Sequence, residues 1–157
     1  MRNCIPNFGT LVLTIGVVFI GFGQESFTAK QQEIINTIDQ LSATTAPDGQ
    51  GAHAYGSFLT ENYSRWTLGS KKINYKQDWI EGIQEWFEDG WRVSDRKQQF
   101  IEIVTSEDVA YTRRIVTEIY LGPNKETSSS KSALTEKWVK HNDKWLLHRV
   151  DIQTMNN

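Results

Sequence analysis

The sequence is poor in cysteine and histidine. Its 157 residues include one cysteine, Cys4, and three histidines, His53, His141 and His148. The histidines show neither the H-x-H nor the H-E-x-x-H spacing of metal sites, so we expect no metal and no cofactor. A chain with a single cysteine cannot close an internal disulfide, so its stability has to come from core packing.

Several functional motifs are also missing. There is no G-x-S-x-G nucleophile elbow and no glycine-rich loop that would hold a phosphate. The 17 basic and 19 acidic residues give a net charge of −2, and the basic residues form no cluster. The charge pattern therefore gives no indication of a nucleic-acid partner.

The long apolar run lies near the start of the chain. Arg2 provides a short positive region, residues 11–22 are apolar, and Gly21 and Gly23 are small residues suited to positions −3 and −1 of a cleavage site. The run is shorter than the about 20 residues of a membrane span. We therefore interpret residues 1–23 as a signal peptide cleaved before Gln24. This predicts a periplasmic or secreted protein with no stable membrane span, and residues 24–157 form a single domain.

Helical periodicity marks three segments ahead of the long strands. Thr28 and Gln31 form a capping box for the first helix, and Asn74 is a candidate cap for the third, which Gly90 ends. A shorter helix lies between them. The apolar stripes of the three helices are Ile34, Ile35, Ile38 and Leu41; Ala52, Tyr55, Phe58 and Leu59; and Trp79, Ile80, Ile83, Trp86 and Phe87.

Strand patterns dominate the rest of the sequence. We predict strands at residues 63–68, 91–105, 109–121, 132–141 and 144–153, with a polar loop at 122–130. Asn142 and Asp143 tolerate the positive φ of a tight turn, which predicts a C-terminal hairpin anchored by Trp138 and Trp145. Helices followed by a run of strands indicate an α+β fold, with helices packed on one face of a curved antiparallel sheet.

The order of these elements resembles the NTF2-like superfamily, and in particular its SnoaL-like/DUF4440-type branch. The resemblance covers about residues 28–153 and rests on four stretches: Phe-Leu-Thr-Glu-Asn-Tyr at 58–63, the third helix at 78–86, Glu-Asp-Val-Ala at 107–110, and the hairpin at 135–145. It implies a cone formed by three N-terminal helices and the sheet. A pocket inside the cone serves catalysis in some members and binding or assembly in others.

The candidate pocket residues follow from strand alternation and from the resemblance. On the last strand, Leu146, His148, Val150 and Ile152 form the more apolar face, which makes His148 a candidate acid/base or a satisfied core histidine. Arg113 and Arg114 point to opposite faces. The register implied by the resemblance turns Arg114, Glu118 and Tyr120 inward, although the other face of that strand is more apolar.

Three further residues complete the predicted ligand pocket. Tyr63 and Trp66 are expected at its mouth, and Tyr55 is expected to reach it from the second helix, where His53 is either a further polar group or a solvated residue. In ketosteroid-isomerase-like relatives a catalytic carboxylate lies at about the place of Trp66. This chain has no carboxylate there, which argues against that proton-transfer chemistry.

Three functions remain open on the sequence alone. The first is an exported domain that binds a small ligand in the cone. The second is a SnoaL-like isomerase or dehydratase that uses His148 as acid/base, with Arg114 or Tyr120 as the oxyanion partner. The third is a non-catalytic module that forms a homodimer through the sheet face bearing Trp145, Leu147 and Arg149. The sequence does not decide whether the protein is an enzyme.

Overall fold

The structure, a computed structural model, describes residues 27–155. The predicted signal peptide, Cys4 and the cleavage site before Gln24 lie outside this range. Within it, no helix has the length and apolar character needed to cross a membrane.

Three helices form, as the periodicity predicts. Helix α1 (Ala29–Ala43) begins with the predicted capping box of Thr28 and Gln31. Helix α2 is Ala52–Gly56, and helix α3 is Lys76–Glu88. The predicted cap of α3 at Asn74 is wrong by one residue, because Asp78 accepts the backbone N–H of Tyr75 at 3.3 Å.

In the part of the chain that the structure describes, six strands form one sheet in the order β2-β1-β6-β5-β4-β3. The neighbouring strands pair antiparallel except β1 and β6, which are parallel, so the expectation of a fully antiparallel sheet is corrected at this pair. Helix α3 follows β2 in the chain, so only α1 and α2 precede all of the strands. The strands are β1 (Leu59–Thr67), β2 (Ile73–Tyr75), β3 (Arg92–Thr105), β4 (Val109–Leu121), β5 (Thr127–His141) and β6 (Lys144–Met155).

Two strands begin several residues earlier than predicted, and β2 is an additional strand. Strand β1 begins at Leu59 rather than at residue 63, and β5 begins at Thr127 rather than at residue 132. The start of β5 is a polar run without hydrophobic alternation. Its backbone nevertheless pairs with the end of β4, opposite Leu121. Pairing across the sheet therefore extends the strand beyond what side-chain pattern indicates.

The C-terminal hairpin forms as predicted. Asn142 and Asp143 occupy the turn with φ of 48° and 60°. Trp138 and Trp145 both point inward and are almost completely buried. They pack with the inner face of α1 at the closed end of the cone, in a cluster that includes Ile34, Ile38, Leu59 and Leu147.

The predicted alternation of β6 is wrong, because the strand contains a β-bulge. Leu147 pairs with Trp138, whereas Arg149 pairs with the preceding residue of β5, so His148 is an extra residue in the ladder. An extra residue reverses the facing of every side chain beyond it. Trp145 and Leu147 therefore share the inner face with Val150 and Ile152, a pattern that strict alternation cannot produce.

Candidate functional site

A cavity of about 590 Å³ lies between the concave face of the sheet and the helices. Helix α3 forms one wall with positions 79, 82, 83 and 86, which lie on one face of a helix. The opposite wall is the inner face of β1, β6, β5 and β4. The lining consists of Leu41, Ser42, Thr45, Tyr55, Arg65, Thr67, Trp79, Gly82, Ile83, Trp86, Val93, Arg96, Arg114, Val116, Glu118, Tyr120, Ser130, Ser132, Leu134, Glu136, Leu147, Val150, Ile152 and Thr154.

A buried ion pair crosses the floor of the cavity. The Arg114 Nη2 donates to Glu136 Oε1 at 2.8 Å, and its Nε donates to Oε2 at 3.0 Å, so the contact is bidentate. The Thr112 hydroxyl also donates to Glu136, and Gln98 accepts from Arg114. Burial opposes the charged form of Arg114, but the attraction of Glu136 outweighs it and raises the arginine pKa.

A second ion pair lies on the inner face of β3 and β4. Arg96 donates to Glu118 at 2.6 Å, and also to the Ser42 carbonyl and the Thr45 hydroxyl, which ties β3 to the end of α1. Tyr120 donates its hydroxyl proton to Glu118 at 2.7 Å. Both carboxylates of the cavity are therefore held by an arginine and a hydroxyl.

The third arginine of the cavity has a different environment. Arg65, on β1, stacks over the ring of Trp79 with its Cζ at 3.9 Å from the ring centroid. No carboxylate among residues 27–155 lies within ion-pair distance of Arg65. The indole Nε1–H of Trp79 is buried without a hydrogen-bond partner in the same part of the chain.

The tyrosine hydroxyls near the cavity are neutral at physiological pH. Burial raises the pKa of Tyr55, against the opposing charge of Arg65. Burial and the negative charge of Glu118 raise the pKa of Tyr120 to about 12. Burial raises the pKa of Tyr63 as well. Of these three hydroxyls, that of Tyr55 can donate to a ligand in the cavity, because Tyr120 donates to Glu118 and Tyr63 lies in the core.

The structure places three of the six predicted pocket residues in the cavity wall: Tyr55, Arg114 and Tyr120. It also decides between the two arginines of β4. Arg114 faces the cavity, and Arg113 lies on the outer face, where it pairs with Glu102 at 2.7 Å. Whether the three wall residues bind a ligand stays a prediction.

The other three predicted pocket residues do not line the cavity. His148, displaced by the bulge, bonds through its Nδ1 to the Thr60 hydroxyl at 3.1 Å. Trp66 points to the other face of β1 and donates its indole N–H to the Ser70 carbonyl at 3.0 Å. Tyr63 points inward but is fully buried in the core. His53 is exposed on α2, where it borders a shallow surface depression.

Sequence reasoning missed Arg65 and Glu136. Arg65 lies two residues after the inward-facing Tyr63, so alternation on β1 indicates its direction once the strand is recognised from Leu59. Glu136 lies two residues before the buried Trp138, so alternation on β5 places both side chains on the inner face. From the sequence alone, however, a charged residue between Thr135 and Lys137 is expected to be exposed to solvent.

Comparisons with known proteins identify the fold. The sequence matches no family model and no curated protein. Among solved structures, the chain is similar to an NTF2-like protein of unknown function in nutrient uptake from Rhodospirillum rubrum. The two share 12% identity and a TM-score of 0.63, over 78% of this chain and 98% of that one.

Two further structures show the range of proteins with this architecture. A ketosteroid isomerase-like protein from Erwinia carotovora atroseptica has 15% identity and a TM-score of 0.59, over 81% of this chain and 94% of that one. A putative calcium/calmodulin-dependent kinase II association domain from Exiguobacterium sibiricum has 11% identity and a TM-score of 0.67, over 84% and 98%. The chain has the NTF2-like fold, as the sequence predicts.

The buried pair allows a direct stability prediction. Replacing Glu136 with alanine leaves Arg114 charged and buried without its partner, so we expect the free energy of unfolding to fall by about 3–5 kcal/mol. Urea denaturation measures the loss. The matched control is Glu102→Ala, which breaks a similar contact with the exposed Arg113 and should cost less than about 1 kcal/mol. Equal losses in the two variants would contradict a structural role for the buried pair.

Proposed function

We propose that this protein binds a small, largely apolar ligand in the cavity of its cone. The observation that carries the proposal is the cavity itself. Its volume of about 590 Å³ falls in the range of about 300–1,000 Å³ that is typical of small-molecule sites. Mainly apolar walls with a few fixed polar groups are the usual composition of such sites.

The arrangement of the walls supports binding over structural filling. Trp79, Ile83 and Trp86 present apolar surface from α3, and Val150 and Ile152 face them from β6. The core of the domain lies at the closed end, where Trp138 and Trp145 already fill the space between α1 and the sheet. The fold therefore does not need the cavity to be closed by its own side chains.

The enzyme alternative has less support. Its proposed acid/base, His148, is the bulged residue of β6, bonds to Thr60 and does not line the cavity. Within residues 27–155, the cavity lining contains no histidine, and its two carboxylates are both paired with arginines. Acid–base catalysis requires a titratable group within reach of the substrate. The resemblance to the SnoaL-like branch therefore supports the fold, but it does not indicate a reaction.

A second proposal concerns assembly, and it needs a different surface from the one predicted. Trp145 and Leu147 are buried, so the sheet face that includes them is not available for dimer formation. The outer face of β4 instead presents a stripe from residue 111 to 121 that exposes Tyr111, Ile119 and Leu121 and also includes Arg113, Ile115 and Thr117. We propose a homodimer through this stripe. A solved structure with the same fold is described as an association domain, which agrees with assembly through this architecture.

Export is a third proposal, and it rests on the sequence alone. Residues 1–23 combine Arg2, the apolar run 11–22 and the small residues Gly21 and Gly23. We propose that the mature protein begins at Gln24 in the periplasm or outside the cell.

Blocking the cavity tests ligand binding. Gly82 borders the cavity, and a Cβ added there meets no atom within 4 Å, so Gly82→Phe adds a ring beside the cavity. We expect Nile red, a neutral apolar dye, to bind the wild-type protein and to lose about tenfold or more in affinity for this variant. Fluorescence titration measures both affinities.

The matched control for this test is Gln84→Phe, which adds the same ring to the exposed side of α3. It should bind the dye like the wild type. Removing Gly82 from the helix interior should not lower stability, because glycine costs a helix about 1 kcal/mol relative to alanine. A wild-type protein that binds no dye, or a Gly82→Phe variant that binds it unchanged, would contradict the proposal.

Sedimentation velocity at micromolar concentration tests the dimer. We expect the mature wild-type protein to sediment as a dimer, and Tyr111→Lys/Ile119→Lys as a monomer, because charge on a buried interface is costly. Gln84→Lys, which alters the charge of α3, should remain dimeric. The monomeric variant should still bind Nile red. A monomeric wild type would show that the stripe is not an interface at this concentration.

Intact mass measurement tests export. When the full-length chain is expressed in a bacterial host, the periplasmic fraction should contain a protein that begins at Gln24. Replacing Leu13 and Val17 with aspartate disrupts the apolar run and should leave the uncleaved chain in the cell interior. If the wild-type chain stayed uncleaved in the cell interior, the proposed signal peptide would be refuted.

A further inference from the structure

The charges in the cavity do not balance. Three arginines and two glutamates line it. Arg114 pairs with Glu136, and Arg96 pairs with Glu118, which leaves Arg65 as the one arginine of the described lining without a carboxylate. An unpaired cation in a partly enclosed, mainly apolar site is poorly solvated, so a bound anion gains from it.

The position of Arg65 leaves its donors available. Its guanidinium lies over the Trp79 ring, so the contact with the indole uses the face of the guanidinium. The N–H groups of a guanidinium point outward in its plane, and stacking does not consume them. Within residues 27–155, these N–H groups donate to no carboxylate, and the stack holds the side chain in place.

The groups around Arg65 are also donors. The Trp79 indole N–H lies near the Tyr55 hydroxyl without forming a hydrogen bond of good geometry, and it has no other partner among the described residues. Burial keeps Tyr55 protonated, so its hydroxyl can donate. The buried hydroxyl of Tyr63, close to Arg65, likewise has no partner of good geometry. This part of the site therefore has a positive charge and several donors, and within residues 27–155 no carboxylate lies within ion-pair distance of Arg65.

We propose that the ligand is a small carboxylic acid with an apolar body, and that Arg65 binds its carboxylate beside Trp79 and Tyr55. This rests on the proposed binding function and specifies its ligand class. A carboxylate fits because it is planar, has a single negative charge and accepts two parallel N–H bonds from a guanidinium. One arginine balances that charge. A phosphate dianion would leave a negative charge uncompensated.

The apolar part of the acid has a defined place. From Arg65 the inner face of the sheet continues through Thr67 and Ile152, and α3 continues through Ile83 and Trp86. These side chains form the two apolar walls already described. A ligand with its carboxylate at Arg65 therefore extends its apolar body between α3 and β6.

Isothermal titration calorimetry with a matched pair of probes tests the assignment. The pair is 2-naphthylacetate and its neutral analogue 2-naphthylacetamide, which have nearly the same shape and differ in charge. We expect the wild-type protein to bind the acid about 10- to 100-fold more tightly than the amide, the range expected for a charge-assisted bidentate contact. Arg65→Gln should abolish this preference and change the amide affinity by less than about threefold.

Two further variants define the role of the guanidinium. Arg65→Lys keeps the charge but loses the planar fork, so it should retain only part of the preference for the acid. Arg113→Gln removes one positive charge from the outer face and should behave like the wild type. Nile red binding by every variant shows that the cavity is intact and that the protein is folded.

The outcomes separate this inference from the proposed function. If Nile red binds but the wild type binds neither naphthyl probe, or binds both equally, the carboxylate assignment is overturned and the binding function stands. If Arg65→Gln keeps the preference for the acid, Arg65 is not the anchor. If Nile red does not bind either, both proposals fail.

Discussion

The bidentate contact between Arg114 and Glu136 is the interaction on which the interior of the cone depends. A guanidinium and a carboxylate with 6% and 1% of their side-chain surfaces exposed remain ionised only because each compensates the other. The contact joins neighbouring strands β4 and β5 at the level where the packed core gives way to the cavity. Thr112 and Gln98 satisfy further polar atoms of the pair. The sheet can therefore have a charged inner face next to its apolar closed end.

The two ion pairs also define what the cavity offers to a ligand. Among the described residues that line the cavity, they use both carboxylates and two of the three arginines, which leaves one arginine without a carboxylate. Burial raises the pKa of Tyr55, so its hydroxyl adds a neutral donor. A site of this composition can recognise and hold an acceptor.

Sequence reasoning predicted those parts of the fold that local physics determines. The capping box at Thr28, the helical stripe through Ile34 and Ile38 and the positive φ of Asn142 each depend on a few neighbouring residues, and each is present in the structure. Strand β2 and the polar start of β5 depend on backbone pairing with the preceding strand, Ile73 with Trp66 and Thr127 with Leu121. Side-chain pattern has no information on such pairing, so these elements were missed.

The candidate site was predicted only in part, because side-chain pattern does not show how the strands pair. The register implied by the resemblance turned Arg114 and Tyr120 inward, although the other face of β4 is more apolar, whereas His148 was misplaced because alternation was extended through a bulge. Glu136 was missed because a carboxylate between two polar residues gives no local sign of burial. Its partner is 22 residues away in the sequence.

The bulge in β6 has a consequence for how this chain tolerates change. Before His148 the odd-numbered residues of β6 face inward, and after it the even-numbered residues do. The inward orientation of both halves therefore depends on the presence of a residue at this position more than on its chemical identity. Deleting it would restore regular alternation and turn either Trp145 and Leu147 or Val150 and Ile152 to the solvent. During divergence, substitutions at this position should accumulate freely, while changes in length are eliminated. An alignment of distant relatives that places a gap here would shift every inward-facing position on one side of it.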